Sequence, residues 1–279
     1  MYEIVAREDL APVTKLLEIR APSVARKAQA GQFVIVRVHQ EGERIPLTIA
    51  DYDRDRGTIT LVFQEVGKTT MHLGTMQVGD CLASFTGPLG LPSEIERYGT
   101  VLCVGGGVGI APIYPIARAL KDAGNTVLSI IGARNKDLLF WEEKMRVVSD
   151  ELIVCTDDGT YGRKALVTIP LKEILEGGRP IDRIWAIGPA IMMKFCALTT
   201  QPFGVPLIVS LNSIMVDGTG MCGACRVEVG GQTRFVCVDG PEFDGHQVDW
   251  DQLLARQRIY LEQEKQALEL WQHGHGCGH

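Results

Sequence analysis

From Thr100 onward the chain alternates continuous apolar runs with helical patterns, and this alternation most narrows the folds open to it. VLCVGGG (Val101–Gly107) is apolar throughout, as a strand buried on both faces requires. It runs into a Gly-rich turn and the helical stretch IAPIYPIARALKDAG, from Ile110. VLSIIGA reads as a second strand, Lys136 to about Val148 as a polar-started helix, and ELIVCTD as a third strand. A helical pattern from about Leu166 to Leu175 ends at Gly177-Gly178. IWAIGP, a short helix and PLIVSLN follow. Strands alternating with helices mean βαβ units and a parallel sheet covered on both faces.

The chain before Thr100 has a different texture. QFVIVRV (Gln32–Val38) and GTITLVFQ (Gly57–Gln64) alternate and are rich in β-branched residues, and turn sequences such as DYDRDRG and GPLGLP separate such runs. Short strands of this kind predict a small antiparallel barrel. After Asn212 the pattern breaks into Gly, Cys and short polar pieces. One amphipathic helix is then expected from about Asp249 to Gln272, ahead of a His/Gly tail, HGHGCGH. The organisation expected is therefore residues 1–98, 99–210, 211–248 and 249–279.

Charge and hydropathy exclude several classes. Net charge is −6 with no basic run, which argues against nucleic acid. The most apolar stretch, Val101–Ala117, is interrupted by Gly and Pro and is too short to span a bilayer. The first ten residues, MYEIVAREDL, lack an apolar signal core, so a cytoplasmic, reducing location is expected. There, clustered cysteines read as metal ligands or reactive thiols.

Of eight cysteines, three cluster: Cys222 and Cys225 form C-x2-C, and eleven residues separate Cys225 from Cys237. The stretch between, RVEVGGQTRFVC, is a hairpin pattern around Gly230-Gly231. Asp217 stands where the first ligand of a C-x4-C-x2-C iron–sulfur pattern would be, giving D-x4-C-x2-C-x11-C. Gly218, Gly220 and Gly223 allow tight bends that bring amide N–H groups toward a negative cluster. Zinc on three thiolates and a carboxylate fits the same spacing, as does a purely structural role.

Gly105-Gly106-Gly107-Val108-Gly109 lies between a buried strand and a helix, where a pyrophosphate can approach the backbone. The full G-x-G-x-x-G fingerprint is absent, and tight strand–helix packing also selects glycine. Arg44–Thr48 (RIPLT) and Gly67–Thr70 (GKTT) offer a guanidinium, hydroxyls and loop amides to a phosphate. Each is also an ordinary surface feature.

In this order, R-x-P-L-T, V-G-K-T-T (Val66–Thr70), G-G-G-V-G-I-A-P (Gly105–Pro112) and I-G-P (Ile187–Pro189) resemble the ferredoxin–NADP reductase superfamily. With the cysteine segment, the chain is similar to the small subunits of NADH-dependent reduced ferredoxin:NADP oxidoreductases, also met in sulfide dehydrogenases. The electron-transfer subunits of dihydroorotate dehydrogenases are more distant relatives. The resemblance implies an N-terminal antiparallel β-barrel FAD domain, an α/β parallel-sheet NAD-binding domain and a small C-terminal [2Fe–2S] module. It implies Arg44 at the FAD pyrophosphate, the backbone of Pro46, Leu47 and Thr48 near the isoalloxazine ring, and Gly67, Lys68, Thr69 and Thr70 at the FAD phosphates. Gly106, Gly107, Val108, Gly109, Gly188 and Pro189 would serve NAD(H), and Asp217, Cys222, Cys225 and Cys237 the cluster. No side chain is assigned a catalytic role, because the cofactors carry the chemistry.

NADP-specific members carry Ser and Arg after the third strand of the sheet; this chain has Asp157 and Asp158. Carboxylates repel a phosphate dianion and suit a ribose diol, which favours NAD, although Arg163 and Lys164 lie close by. The resemblance further implies a heterodimer with a larger flavin and [4Fe–4S] subunit, ferredoxin being reached through that subunit, in an electron-bifurcating complex. A dihydroorotate dehydrogenase subunit would carry cysteine rather than Asp217; a colourless, zinc-stabilised adaptor is the non-enzymatic alternative.

Overall fold

A computed structural model describes residues 2–275. The end of the His/Gly tail, including Cys277, lies outside the described residues. Seven strands build the first sheet: β1 (Tyr2–Ala11), β2 (Thr14–Arg20), then after a short helix α1 (Pro22–Ala25), β3 (Phe33–Arg37), β4 (Arg44–Asp53) and β5 (Thr58–Gln64). Helix α2 (Lys68–Thr75) follows, then β6 (Cys81–Leu82) and β7 (Ser84–Leu89). Their order is β6-β1-β2-β5-β4-β3-β7, antiparallel throughout and nearly closed into a barrel. Alternation decides the packing: Val34, Val36, Ile59, Leu61 and Phe63 point into one core, which the fully buried Leu73 of α2 completes. Burying that leucine stabilises the attachment of α2 by ~2 kcal/mol.

The second sheet is built from β8 (Thr100–Gly106), helix α3 (Ile110–Asp122), β9 (Thr126–Ala133), helix α4 (Glu142–Val147), β10 (Glu151–Thr156) and β11 (Arg163–Lys164). Helix α5 (Thr168–Glu176), β12 (Arg183–Ile187), helix α6 (Ala190–Thr200) and β13 (Leu207–Ser210) complete its crossovers. The order β11-β10-β9-β8-β12-β13 is parallel, as the βαβ pattern predicts.

The cysteine-bearing segment folds as β14 (Arg226–Val229), β15 (Gln232–Phe235), the single-turn helix α7 (Val236–Asp239) and β16 (Glu242–Asp244). Gly230 and Gly231 both adopt positive φ, +59° and +71°, as a two-residue hairpin turn requires. β16 joins the second sheet antiparallel to β13, so this segment supplies that sheet's last strand.

Two expected helices differ. The stretch from Lys136 is a single 3₁₀ turn, Lys136–Leu138, and α4 begins only at Glu142. Between them Phe140 is buried, and Trp141 leaves helical geometry at φ 57° to pack edge-on against Tyr114. The terminal helix is two: α8 (Trp250–Arg256) and α9 (Leu261–His275). Leu253 of α8 is buried with the cysteine segment, whereas α9 lies against α2. The two pieces pack on different bodies, so the chain turns between them.

Candidate functional site

Register sets the outer face of the barrel. Phe33, Ile35 and Arg37 pair with Thr48, Pro46 and Arg44 across β3 and β4, and facing partners share a side of the sheet. Phe33 and Ile35 belong to the core shared with the second sheet, so Arg44, Pro46 and Thr48 lie on the side facing that sheet. Leu47 points the other way, into the barrel core, and only its backbone is available to a ligand. Among the described residues Arg44 is exposed and makes no ion pair.

Gly67 caps α2, and the Thr70 hydroxyl accepts from its N–H at 3.0 Å and donates to its carbonyl at 3.0 Å. Thr70 is therefore engaged by the backbone, while Lys68 is half-buried and Thr69 buried at the first turn of α2. Both are held by Glu43: Lys68 Nζ lies 3.7 Å from its Oε1, and the Thr69 hydroxyl donates to its Oε2. A carboxylate at a helix N-terminus sits where a phosphate is favoured, so Glu43 stands in for an anion.

The Gly-rich turn separates two glycine roles. A Cβ on Gly109 would lie 2.7 Å from Gly188 Cα and clash with the Ile187 carbonyl, and one on Gly106 would collide with Met192. Packing against the β12–α6 backbone thus requires glycine at 109, whereas at 106 the Met192 side chain on α6 would have to move. Gly107 has φ +56° and open space around its Cβ direction, so its backbone faces a cavity. That cavity, about 590 Å³, lies between the ends of β8, β9 and β10 and helix α6, with Val108, Arg134, Asp157, Pro189, Met192 and Phe195 in its wall.

The two aspartates divide. Asp157 lines the cavity; partial burial and the neighbouring Asp158 raise its carboxyl above the usual range, against the pull of Arg134. Asp158 instead accepts from Thr160 N–H at 2.9 Å and Thr160 hydroxyl at 2.7 Å, contacts that lower it. Arg163 is tied to Glu173 of α5, away from the cavity. Lys164 lies alongside Gly159.

A second cavity of about 360 Å³ adjoins the first, for Gln64, Val108 and Pro189 line both. Its wall takes Pro46 and Thr48 from the barrel, Gly109 and Gly188 from the second sheet, and residues 210–213 and Met215 from the approach to the cysteine loop.

The cysteine loop rests on the barrel. Gly218, at φ +75°, leaves a Cβ direction only 2.8 Å from side-chain carbons of Ile35 and Leu89. Among the described residues no three His, Cys, Asp or Glu side chains form a ready metal group. The four expected donors stand instead in two pairs. Cys225 and Cys237 are buried with sulfurs 3.2 Å apart. Burial, then the Cys225 thiol, pushes Cys237 up to about 12, while the Gly220 N–H pulls it down. Asp217 and Cys222 form the outer pair: the Thr219 N–H, 2.9 Å away, and then contacts from Cys222 hold the Asp217 carboxyl below its usual range. Helix α8 and the residue after it hold the loop from behind. Arg256 donates to the Ala224 carbonyl at 3.1 Å, and Gln257 to the Asn212 carbonyl at 2.7 Å.

Gln64, Arg134 and Ser213 line these cavities, and Glu43 holds Lys68 and Thr69, without any pattern that singles them out in the sequence. Each is a lone polar residue whose meaning comes from what folds opposite it.

Comparison with known proteins agrees with this layout. Residues 2–92 match the family described as an oxidoreductase FAD-binding domain, and residues 212–249 the iron–sulfur cluster binding domain of dihydroorotate dehydrogenase B. A Thermotoga maritima protein, named as a homolog of the electron transfer subunit of dihydroorotate dehydrogenase B (NAD(+)), is 54% identical over 96% of this chain and 95% of its own length. The Geobacillus thermodenitrificans electron transfer subunit of that enzyme is 33% identical over 88% of this chain and 96% of its own. A solved structure describing flavin-based electron bifurcation by the NADH-dependent reduced ferredoxin-NADP oxidoreductase superposes with TM-score 0.92 at 52% identity, covering 97% of this chain and 98% of that one.

Proposed function

The chain belongs to the family of dihydroorotate dehydrogenase B-type electron transfer subunits and their bifurcating-oxidoreductase relatives, within the ferredoxin–NADP reductase superfamily, and from that premise we propose how its cavities share the work. It is a flavin and iron–sulfur oxidoreductase subunit, moving electrons between FAD, a cluster and a pyridine nucleotide in an electron-bifurcating NADH-dependent ferredoxin:NADP oxidoreductase complex.

One observation carries the assignment of parts: barrel, second sheet and cysteine segment all contribute to one 360 Å³ cavity, which shares Gln64, Val108 and Pro189 with the wall of the 590 Å³ cavity beside it. When bound, FAD exchanges hydride with a nicotinamide and single electrons with an iron–sulfur cluster. Arg44, Lys68, Thr69 and the α2 N-terminus fit the FAD phosphates; an anion, the Glu43 carboxylate, already occupies that place. The backbone of Pro46, Leu47 and Thr48 borders the ring.

NAD(H) is the pyridine nucleotide in this reading. Gly107 gives the pyrophosphate backbone access, and Asp157 accepts from the adenosine ribose diol while opposing a 2′-phosphate. Arg163, one of the two cations that follow these aspartates in sequence, is committed to Glu173.

In this reading the cluster is a [2Fe–2S] cluster, which Asp217, Cys222, Cys225 and Cys237 would hold as two pairs of donors and which would carry single electrons. Two donor pairs suit two irons with two protein ligands each, and suit a single tetrahedral zinc less well. The partner is a larger flavin and [4Fe–4S] subunit, through which ferredoxin is reached. No helix among the described residues is long and apolar enough to cross a membrane; a cytoplasmic location is part of the proposal.

The names of the curated relatives favour a second reading, in which the same subunit serves a dihydroorotate dehydrogenase. Anoxic purification with flavin, iron, acid-labile sulfide and zinc counts tests the main reading. About one FAD and two iron with matching sulfide are expected; zinc with neither flavin nor sulfide overturns it. Dihydroorotate oxidation by the co-purified complex would select the second reading.

A further inference from the structure

Gln64, Val108 and Pro189 belong to the walls of both cavities. Val108 and Pro189 offer no side-chain donor or acceptor, so Gln64 is the polar side chain that the two walls share. Strand alternation fixes where it points. Ile59, Leu61 and Phe63 of β5 fill the barrel core, while Val62 joins Ile110 and Val127 in the core of the second sheet. Gln64 lies on the Val62 side of β5, a strand that rests against the Gly107–Gly109 turn. Thr60 and Val62 are buried, but Gln64 is half-exposed, where the strand ends and the cavities begin. Among the described residues its side-chain amide makes no hydrogen bond.

The other polar side chains of the larger cavity are Arg134, Asp157 and Thr168, and none of them lines the smaller one. The wall common to both cavities therefore offers a nucleotide one polar side chain. A primary amide carries an acceptor oxygen and two donor hydrogens, and the carboxamide of a nicotinamide carries the same set. Two such groups pair through two hydrogen bonds, and no charge is buried.

We propose that Gln64 is a positioning residue for hydride transfer, pairing with the nicotinamide carboxamide where the two cavities meet. This rests on the reading that FAD fills the smaller cavity and NAD(H) the larger. A ring held by its carboxamide neither flips nor slides, so the hydride leaves with its electron pair at close approach to the flavin. NADH is oxidised to NAD⁺ and the flavin is reduced. Asp157 serves the far end of the same nucleotide, so Gln64 governs the rate more than the affinity.

The test uses the full chain loaded with FAD, as wild type and Gln64→Leu, with flavin reduction followed by stopped flow. Two further nucleotides separate the roles. The reduced acetylpyridine analogue of NADH keeps the carbonyl but lacks the amide donors, and ADP-ribose lacks the nicotinamide altogether. In Gln64→Leu the limiting rate of flavin reduction by NADH should fall about tenfold, the scale of a lost pair of neutral hydrogen bonds. Preference for NADH over the acetylpyridine analogue should shrink in the same variant. ADP-ribose inhibition should stay within about twofold of wild type, with FAD content unchanged. Equal NADH rates in the two proteins would overturn the proposal. So would a parallel loss of ADP-ribose binding, which means a distorted site, or an effect confined to FAD affinity, which assigns the amide to the flavin. A wild-type chain whose flavin is not reduced by NADH overturns the underlying reading, and the proposal with it, before any variant is compared.

Discussion

The indole N–H of Trp185 points at the carboxyl of Glu242, 3.3 Å away, and joins the centre of the second sheet to the strand contributed by the cysteine segment. The Ser93 hydroxyl donates to the other carboxyl oxygen at 2.5 Å. Three parts of the chain thus meet on one enclosed carboxyl group.

Enclosure dominates its chemistry. Burial pushes Glu242 up to about 7, with the bonds from Ser93 and Trp185 pulling down against it. The folded chain therefore holds this proton where the unfolded chain, with an ordinary glutamate, has released it. Stability should fall as pH rises from about 4.5 to 7 and level off above, a loss of up to about 3 kcal/mol from this group. Glu242→Gln should remove that part of the slope and be more stable than wild type at pH 8. Denaturant midpoints at pH 5, 6, 7 and 8 would show it; parallel pH profiles for the two proteins would refute it.

Asp157 and Asp158 should behave as different residues despite their adjacency. Asp157→Asn should raise the KM for NADH about tenfold and narrow the preference over NADPH, since a charged acceptor is lost. Asp158→Asn should stay within about twofold, because that carboxylate is turned onto Thr160. Diaphorase kinetics with both nucleotides measures each.

Glu43 holds Lys68 and Thr69, so in the proposed FAD site it must give way when a phosphate takes those partners. Glu43→Gln should tighten FAD binding roughly twofold to fivefold, the scale of a charge at an exposed helix terminus. Fluorescence titration of the flavin-free chain would register it, and weaker binding would mean that the carboxylate supports the site rather than competes for it.

Removing one member of the buried sulfur pair should empty the cluster site while sparing the flavin. Cys225→Ser is expected to retain under about a tenth of wild-type iron and acid-labile sulfide, with FAD content unchanged. Asp217→Cys, on the exposed pair, should keep its iron and alter the visible cluster spectrum. Iron retained in Cys225→Ser would point to a different ligand set.

Much of this architecture is legible in local pattern, and what is not has one physical source. QFVIVRV and VLCVGGG become strands because their burial follows from alternation in one and double coverage in the other. Gly230-Gly231 turn as glycines must at positive φ. The break at Trp141 answers to Tyr114, a residue of another helix, and no periodicity carries that. The bend between α8 and α9 likewise reflects two different packing partners. At the site, the D-x4-C-x2-C-x11-C spacing is visible because four potential donors recur in one stretch. Gln64 is not, for one glutamine at the end of a strand acquires meaning only from the two cavities folded around it. Asp157 and Asp158 look equivalent in sequence, and the turn at Thr160 alone tells them apart.

β16 has a consequence for how such chains can be cut and recombined. An unpaired sheet edge invites association with other strands, and β16 is what covers β13. The cysteine segment is therefore not a cassette that can be exchanged or deleted at residue 211. A chain ending there would bare the edge of its nucleotide-binding sheet and trade a redox subunit for a self-associating one.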